Sequence, residues 1–575
     1  MAIADDSADA GQDPWRKRPP LPHAPSRGGE SPAAAIASSP PESFLLQAPD
    51  VNSVTDLYLA GHPGRGGLPE DVELLRRSYA WTGAACGGAL RIGGEPYLAR
   101  PLATANALAA AGLDAATVAS GLLKEPLETG RAAFAEIREN FGEEVAALAA
   151  GAADPPGERY CLTASSPWDG VGFMASAAGP AYRYASPEGA ARRAARFALA
   201  LEAALRDPRT LAVRIASRLH DMRCLPLYPP SCRAAYAQET LDYYAPLAGA
   251  LGLPKLRSDL EDLSLMTLRP KDYADISSRL PEGPPGREGF VRETGRALQA
   301  SLREFRVDCE VRGRAKHVYG VWRKMLLQNL PFEQIHDLFA FRVTVDSVEA
   351  CYRALGVVHT LYRPLPGRFK DYISLPAQDG YRSLHTAVVG PRGVRMEIRI
   401  GSAGMRGRRG DDAEAVLDLR PAVARPGGLP APGLDAGLRY LRSLHAALTD
   451  GMDRDPDASL SRLRKALDPD GPVLAFTPMN GVVKLPQGAT PIDFAYRIHP
   501  GLGDRLAAAF VNGSPVGLGH TLGSLSTVRI VTDTSARPAG DWLDKAASPK
   551  TRAMIRKALS SARERPRPGR RRPAS

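Results

Sequence analysis

From about residue 52 to residue 265, apolar positions recur three and four apart. Phe134, Ile137, Phe141, Val145 and Leu148 fall on one side of that period, which predicts a helix. Leu211–Arg223 and Leu241–Leu253 predict further helices, with little strand signal, so this stretch reads as an all-α domain. Beyond about residue 300 the period drops to two. Phe339, Phe341, Val343 and Val345 alternate with polar or small residues, as do Val394, Met396, Ile398 and Ile400. Both runs predict strands, and Arg395, Glu397 and Arg399 then share the opposite, polar face. A helix is expected between them over Val348–Thr360, so this part is α/β. Near residue 471 a third pattern begins. Val473–Thr477 and Val482–Leu485 flank Asn480-Gly481, a hairpin signal because both residues tolerate positive φ. Pro491–Ile498 predicts a helix, with Pro allowed in its first turn, and short strands run on to Val531.

A chain of 575 residues with three such patterns has room for three or four domains. The 55 glycines and 51 prolines are concentrated enough to predict loose segments. The expected organisation is a disordered segment over 1–50, a helical domain over 51–265 and a linker over 266–300. An α/β domain follows over 301–455, with a divergent loop at 402–436, then a small module over 470–534 and a basic tail over 535–575. A net charge of +11 favours anionic partners such as nucleotides, RNA or anionic lipid. Six scattered cysteines without a CxxC pair argue against a zinc ribbon or a disulfide framework and fit a reducing, cytoplasmic setting. The acidic N-terminus lacks the apolar core of a secretory signal, and no apolar run is long enough to span a membrane.

The densest chemistry lies in Arg312–Met325, RGRAKHVYGVWRKM. On a helix starting near Lys316, positions 316, 320 and 324 share a face, with Arg314 just upstream. Cations converging at a helix N-terminus suit a polyphosphate, and the alternative is a solvated basic face. Asp337 precedes one predicted strand and Glu397 stands on another. Two carboxylates on adjacent strands can hold Mg²⁺ together with phosphate oxygens, or can simply pair with Arg342 and Arg395. Gly380-Tyr381-Arg382-Ser383-Leu384-His385-Thr386 and Arg368-Phe369-Lys370-Asp371-Tyr372 add aromatic rings and cations. Together these stretches suit a nucleotide-handling site.

The stretches GRAKHVYGVWRKM, HDLFAFRV, ALGVVHTLYRPLPGRFKDYIS, GYRSLHT and MEIRI resemble the RelA/SpoT homologues, the stringent-response proteins that make and degrade (p)ppGpp. The terminal VLAFTPMNGVVKLPQGATPIDFAYRIHPGLG looks like that family's TGS domain, and the resemblance runs from about Asp56 to Leu559. It implies a multidomain α and α/β architecture: an all-α HD-type hydrolase fold, a nucleotidyltransferase-like α/β synthetase with a mixed sheet, and a small β-grasp TGS module. It implies pyrophosphate transfer from ATP to the 3′-hydroxyl of GDP or GTP. Arg314, Lys316 and Lys324 would hold ATP phosphates, and Asp337 would bind Mg²⁺. Glu397 would bind Mg²⁺ or take the proton. Tyr381 would stack on guanine, with His385 and Lys370 beside the acceptor nucleotide. His499 in the TGS-like module would be either a partner contact, to tRNA on the ribosome or to acyl carrier protein, or a plain loop histidine. Homo-oligomerisation is left open.

The departures from the family matter as much. Its hydrolase holds a divalent metal with a His, a His-Asp pair and a distant Asp. Here those places read Arg100, Lys124-Glu125 and Ser217, so no Mn²⁺ and no hydrolysis are expected. In the synthetase part, Gly320, Ala377, Asp379, Arg382, Arg399 and Gly401 replace Ser, Lys, Asn, Gln, Gln and Arg. Two readings follow: a hydrolase-dead, weak ATP:GTP/GDP 3′-pyrophosphotransferase, and a catalytically inactive pseudoenzyme that binds guanine nucleotides or a partner. An RNA- or ribosome-binding role is a third.

Overall fold

The computed structural model describes residues 51–61, 69–87, 96–154, 187–227, 230–281, 284–377, 380–402, 404–405, 416–419, 434–469 and 471–564. The segment 1–50, expected to be disordered, and most of the loop at 402–436 lie outside the described residues.

The first part is helical, as its period predicts. It runs through α1 (Val51–Gly61), α2 (Pro69–Cys86), α3 (Ala99–Ala110) and α4 (Ala115–Glu128). Next come α5 (Phe134–Phe141), α6 (Glu143–Ala152), α7 (Pro187–Arg206), α8 (Arg209–Cys224), α9 (Pro230–Glu239), a π turn (Thr240–Tyr244) and α10 (Ala245–Ala250). The single helix expected across Phe134–Leu148 is two, because Gly142 takes φ 88° and breaks it.

The expected linker is not one. The chain continues through α11 (Pro254–Leu268), α12 (Pro270–Arg279) and α13 (Pro284–Glu304). Phe290, Leu298 and Leu302 on α13 enter the core of the next domain. Of the last two of these helices, the first ends at Arg279 and the second begins at Pro284.

The α/β domain is a five-stranded mixed sheet of β1 (Glu310–Ala315), β2 (Phe339–Val345), β3 (Arg363–Asp371), β4 (Leu384–Val389) and β5 (Arg395–Ser402). Their order is β1-β2-β5-β4-β3, with β2 and β5 parallel and the other neighbours antiparallel. Phe339, Phe341, Val343 and Val345 are buried with Met396, Ile398 and Ile400 against α13 and α15 (Val348–Leu361). Each such side chain contributes about 1.5–3 kcal/mol, enough to fix the register and to turn Glu397 and Arg399 to the other face. Between β1 and β2 runs α14 (Val318–Gln328). It packs Val321, Trp322 and Met325 against Leu265 and Ile276 of the helical part and Phe476 of the last module, so it sits where three parts meet.

After β5 the chain returns to the helical domain. Leu417 N–H donates to the Ala250 carbonyl at 2.9 Å. Leu441, Leu444 and Leu448 of α16 (Leu434–Thr449) and Leu460 and Leu463 of α17 (Pro456–Leu467) join the helical core. The α/β domain therefore ends earlier than the expected residue 455.

The last module carries β6 (Val473–Phe476), β7 (Val482–Leu485), α18 (Pro491–Ile498), α19 (Pro500–Asp504), β8 (Leu506–Val511), β9 (Ser514–Val516) and β10 (Val528–Thr532). Asn480 takes φ 63° in the β6–β7 turn. The expected basic tail begins as structure: α20 (Trp542–Lys545) and α21 (Pro549–Glu564) bury Trp542 and Ile555 against Ile492 and Tyr496 of α18. Among the described residues, no helix is long and apolar enough to cross a membrane.

Candidate functional site

The polar face of the sheet carries two rows across its strands. Register pairs Arg314 with Ala340, Ala340 with Glu397, and Glu397 with Ala387. One pleat further, Arg312, Arg342, Arg399, His385 and Lys370 are partners in sequence across all five strands. Cross-strand partners share a face, so this is a row of basic side chains running beside Glu397.

Glu397 is clamped within that row. Its Oε2 accepts from Arg399 Nε at 3.1 Å and Nη2 at 2.9 Å, and its Oε1 lies 3.3 Å from His385 Nδ1. Burial pushes the carboxyl up, but the His385 hydrogen bond and the Arg399 charge outweigh it, leaving the group at about 2. His385 Nε2 in turn meets the Tyr381 hydroxyl at 2.8 Å. Tyr381 is only 3% exposed and is edge-on to Tyr372 and His385. Its ring is packed away, so stacking on a base needs that packing to open.

Asp337 forms a second cluster just before β2. Lys316 Nζ reaches its Oδ2 at 2.9 Å and Lys324 Nζ its Oδ1 at 2.7 Å. Burial pushes this carboxyl up as well, and the two lysines more than offset it, so it lies below the usual carboxylate range. The lysines expected on ATP phosphates thus hold a carboxylate in this state. Arg314 and Lys370 are exposed on the strands that flank the face.

The N-terminus of α14 differs from the expectation. The helix starts at Val318, which leaves Lys316 outside it. Its first N–H groups are taken by Asp262 of α11, from Val318 at 3.3 Å and Tyr319 at 2.8 Å. His317 Nε2 meets Glu261 Oε2 at 2.7 Å. A polyphosphate at that helix end would compete with a carboxylate from the helical domain. Sequence reasoning missed Asp262, since nothing local relates it to α14.

In the helical domain, Arg100, Lys124, Glu125 and Ser217 do converge. Arg100 donates Nε and Nη2 to Asp221 at 2.8 and 3.0 Å, and Nη1 to Glu125 at 2.5 Å and Glu128 at 3.2 Å. Lys124 Nζ holds the other Glu128 oxygen at 2.5 Å, and Ser217 Oγ meets Thr104 Oγ1 at 3.3 Å. All these side chains are buried. Burial pulls the Arg100 guanidinium down, but Asp221, Glu125 and Glu128 raise it well above its ordinary value. A guanidinium and an ammonium, which are donors only, engage all three carboxylates here. Asp221 was missed in the sequence; its only signal was an acid one turn beyond Ser217 on a buried helix. His220 packs inside the same helix, 3.5 Å from Cys224 Sγ.

Among the described residues, no group of three or more His, Cys, Asp or Glu side chains is placed to hold a metal. Mg²⁺ needs fewer protein ligands, one or two carboxylates with phosphate oxygens completing its shell. Asp337 and Glu397, both kept ionised, fit that requirement by chemistry. In the last module, His499 Nδ1 accepts from the Gly501 N–H at 3.0 Å and so caps α19, its ring exposed.

Comparison with known proteins bears on all three parts. Residues 313–414 match the family model described as a region found in RelA / SpoT proteins. Residues 77–254 match an HD domain and 473–532 a TGS domain. The bifunctional (p)ppGpp synthase/hydrolase SpoT of Escherichia coli (strain K12) is 33% identical over 86% of this chain and 66% of its own length. The chain belongs to the RelA/SpoT family. A GTP pyrophosphokinase of Myxococcus xanthus is 34% identical over 84% of this chain and 60% of its own. Another, from Streptomyces antibioticus, is 36% identical over 83% of this chain and 54% of its own. The chain thus spans between half and two thirds of the length of these RelA/SpoT relatives. Among solved structures, small alarmone synthetase 1 of Bacillus subtilis bound to its product pppGpp is 21% identical over 20% of this chain and 69% of its own, at a TM-score of 0.19.

Proposed function

We propose that this RelA/SpoT-family chain acts in (p)ppGpp metabolism as a hydrolase-inactive protein with a slow ATP:GDP/GTP 3′-pyrophosphotransferase site. The observation that carries the first half is the Arg100 guanidinium among Asp221, Glu125 and Glu128, where the family places a metal. The second half rests on the sheet face. Asp337 and Glu397 would hold Mg²⁺, which would neutralise and orient the transferring phosphates. Lys316 and Lys324 would leave Asp337 for the ATP phosphates, joined by Arg314. His385, Lys370 and Tyr381 line the side proposed for the guanine nucleotide. A carboxylate at about 2 is a poor proton acceptor, so Glu397 is assigned to the metal rather than to the 3′-hydroxyl.

The same contacts favour a second reading. Asp337 and Glu397 are each already paired to protein cations, which is how a retired site would satisfy its charges. In that case the chain binds guanine nucleotides without turnover.

Incubation of the purified chain with γ-labelled ATP and GDP or GTP, with and without Mg²⁺, separates the two. Labelled product that requires Mg²⁺ and disappears in Glu397→Gln supports transfer. Equal background in wild type and Glu397→Gln leaves the binding role. Turnover of ppGpp in the presence of Mn²⁺ would refute the inactive hydrolase.

A further inference from the structure

The helix that carries Lys324 and follows Lys316 does not cap itself. Its first internal bond runs from the Val321 N–H to the His317 carbonyl at 3.1 Å, which leaves the N–H groups of Val318, Tyr319 and Gly320 to find partners elsewhere. His317 stands at the N-cap position, yet its side chain makes no capping bond. Asp262 of α11 takes that place, with one carboxylate oxygen accepting from Val318 at 3.3 Å and the other from Tyr319 at 2.8 Å. Glu261, one residue earlier, meets His317 Nε2 at 2.7 Å. Further along the helix, Asp272 of α12 accepts from Trp322 Nε1 at 3.3 Å. Three acids of the helical part thus hold the start of α14.

The His317 contact reaches Lys316. Both side chains pack on Gly320, where a Cβ would stand 3.1 Å from His317 Cε1 and 3.3 Å from Lys316 Cγ. A shift of the imidazole therefore moves the stem of the lysine beside it. Lys324 stands on the same rigid rod, so a tilt at the start of α14 carries its ammonium along. The His317–Glu261 contact is an ionic one. Burial pushes the Glu261 carboxyl up, but Arg257 and then His317 bring it to about 2. Burial pushes the His317 imidazole down, but the hydrogen bond and charge of Glu261 raise it above its ordinary value.

We propose that Glu261 and Asp262 are positioning residues, through which the helical domain sets Lys316 and Lys324 for a triphosphate. The assignment rests on the ATP site proposed above and adds to it two residues from another domain. Asp262 fixes where the helix begins, and Glu261 fixes the ring against which Lys316 lies.

Calorimetric titration of the full chain in chelator, with ATP and separately with GDP, tests this. Asp262→Ala should weaken ATP about fivefold, the equivalent of about 1 kcal/mol for a lost cap, and leave GDP unchanged. Asp262→Asn, whose amide oxygen also caps, should restore ATP binding. Glu261→Ala, which frees His317 and keeps the Asp262 cap, should weaken ATP in the same direction, and it decides the matter if Asp262→Ala fails to fold. Loss of ATP and GDP binding together, or no rescue by Asp262→Asn, reduces the contact to a structural one and overturns the proposal. A wild-type chain that binds no ATP sinks the catalytic reading and this assignment with it. Equal ATP affinity in wild type and a folded variant overturns the assignment alone.

Discussion

Arg399 grips the Glu397 carboxylate with Nε at 3.1 Å and Nη2 at 2.9 Å, two residues along the same strand. The pair turns a candidate metal ligand into half of a salt bridge. Any Mg²⁺ that arrives must compete with a guanidinium already in place.

Arg399→Gln should therefore speed ATP-dependent synthesis. A hydrogen bond to a charged group is worth about 1.5–3 kcal/mol, so a gain of roughly ten- to a hundredfold is expected if the clamp limits the rate. Initial rates with labelled ATP check it. An unchanged or slower rate would mean that Arg399 serves the site as it stands.

The Glu397 carboxylate, held by the His385 hydrogen bond and then by Arg399, predicts a pH dependence of stability. Glu397 is depressed from 4.5 to about 2, so its contribution is present in full above about 4.5. It is lost as the pH falls through 2, and it amounts to roughly 3 kcal/mol. Urea midpoints of wild type and Glu397→Gln should converge over that window and stay parallel above it. Curves that run parallel throughout would remove the pairing as a source of stability.

In the helical domain, Arg100→Leu should strip Asp221, Glu125 and Glu128 of the guanidinium they share, while Lys124 stays on Glu128 and the Tyr236 hydroxyl on Asp221. Breaking a buried ion network in this way costs about 3–5 kcal/mol. Adding Asp221→Asn should return part of the loss, because one uncompensated charge goes with it. Urea unfolding followed by circular dichroism measures both. A loss below about 1 kcal/mol, the scale of exposed pairs, would show that water reaches the network.

These sites differ in how far the sequence could show them. Alternation over Val394–Ile400 was enough to put Glu397 and Arg399 on one polar face, because a period of two leaves no other choice. Asn480-Gly481 announced the β6–β7 turn for a similarly local reason. The contact of Asp221 with Arg100 spans 121 positions, and that of Asp262 with Tyr319 spans 57. No local period encodes such pairings. The helix Pro284–Glu304 was hidden by the prolines at its own start, and Pro549–Glu564 by its charge. In both, a few apolar residues such as Leu298 and Ile555 meet a core made elsewhere in the chain.

Asp337 offers the sharpest test of the sheet face, because affinity and turnover should move in opposite directions. Lys316 and Lys324 now share its carboxylate at 2.9 and 2.7 Å. A triphosphate must draw both ammonium groups away from that acid before it can use them. In Asp337→Asn the amide no longer carries the charge that holds them, so ATP should bind more tightly when Mg²⁺ is absent. A gain of about tenfold corresponds to 1.4 kcal/mol, the scale of one charge-assisted contact. The same variant loses one of the two acids assigned to the metal, so Mg²⁺-dependent synthesis should fall below detection. Calorimetric titration with ATP in chelator, set beside the labelled-ATP assay, reads both quantities on one preparation. Mere structural damage would lower affinity and activity together. That result would detach Lys316 and Lys324 from the phosphate-binding role.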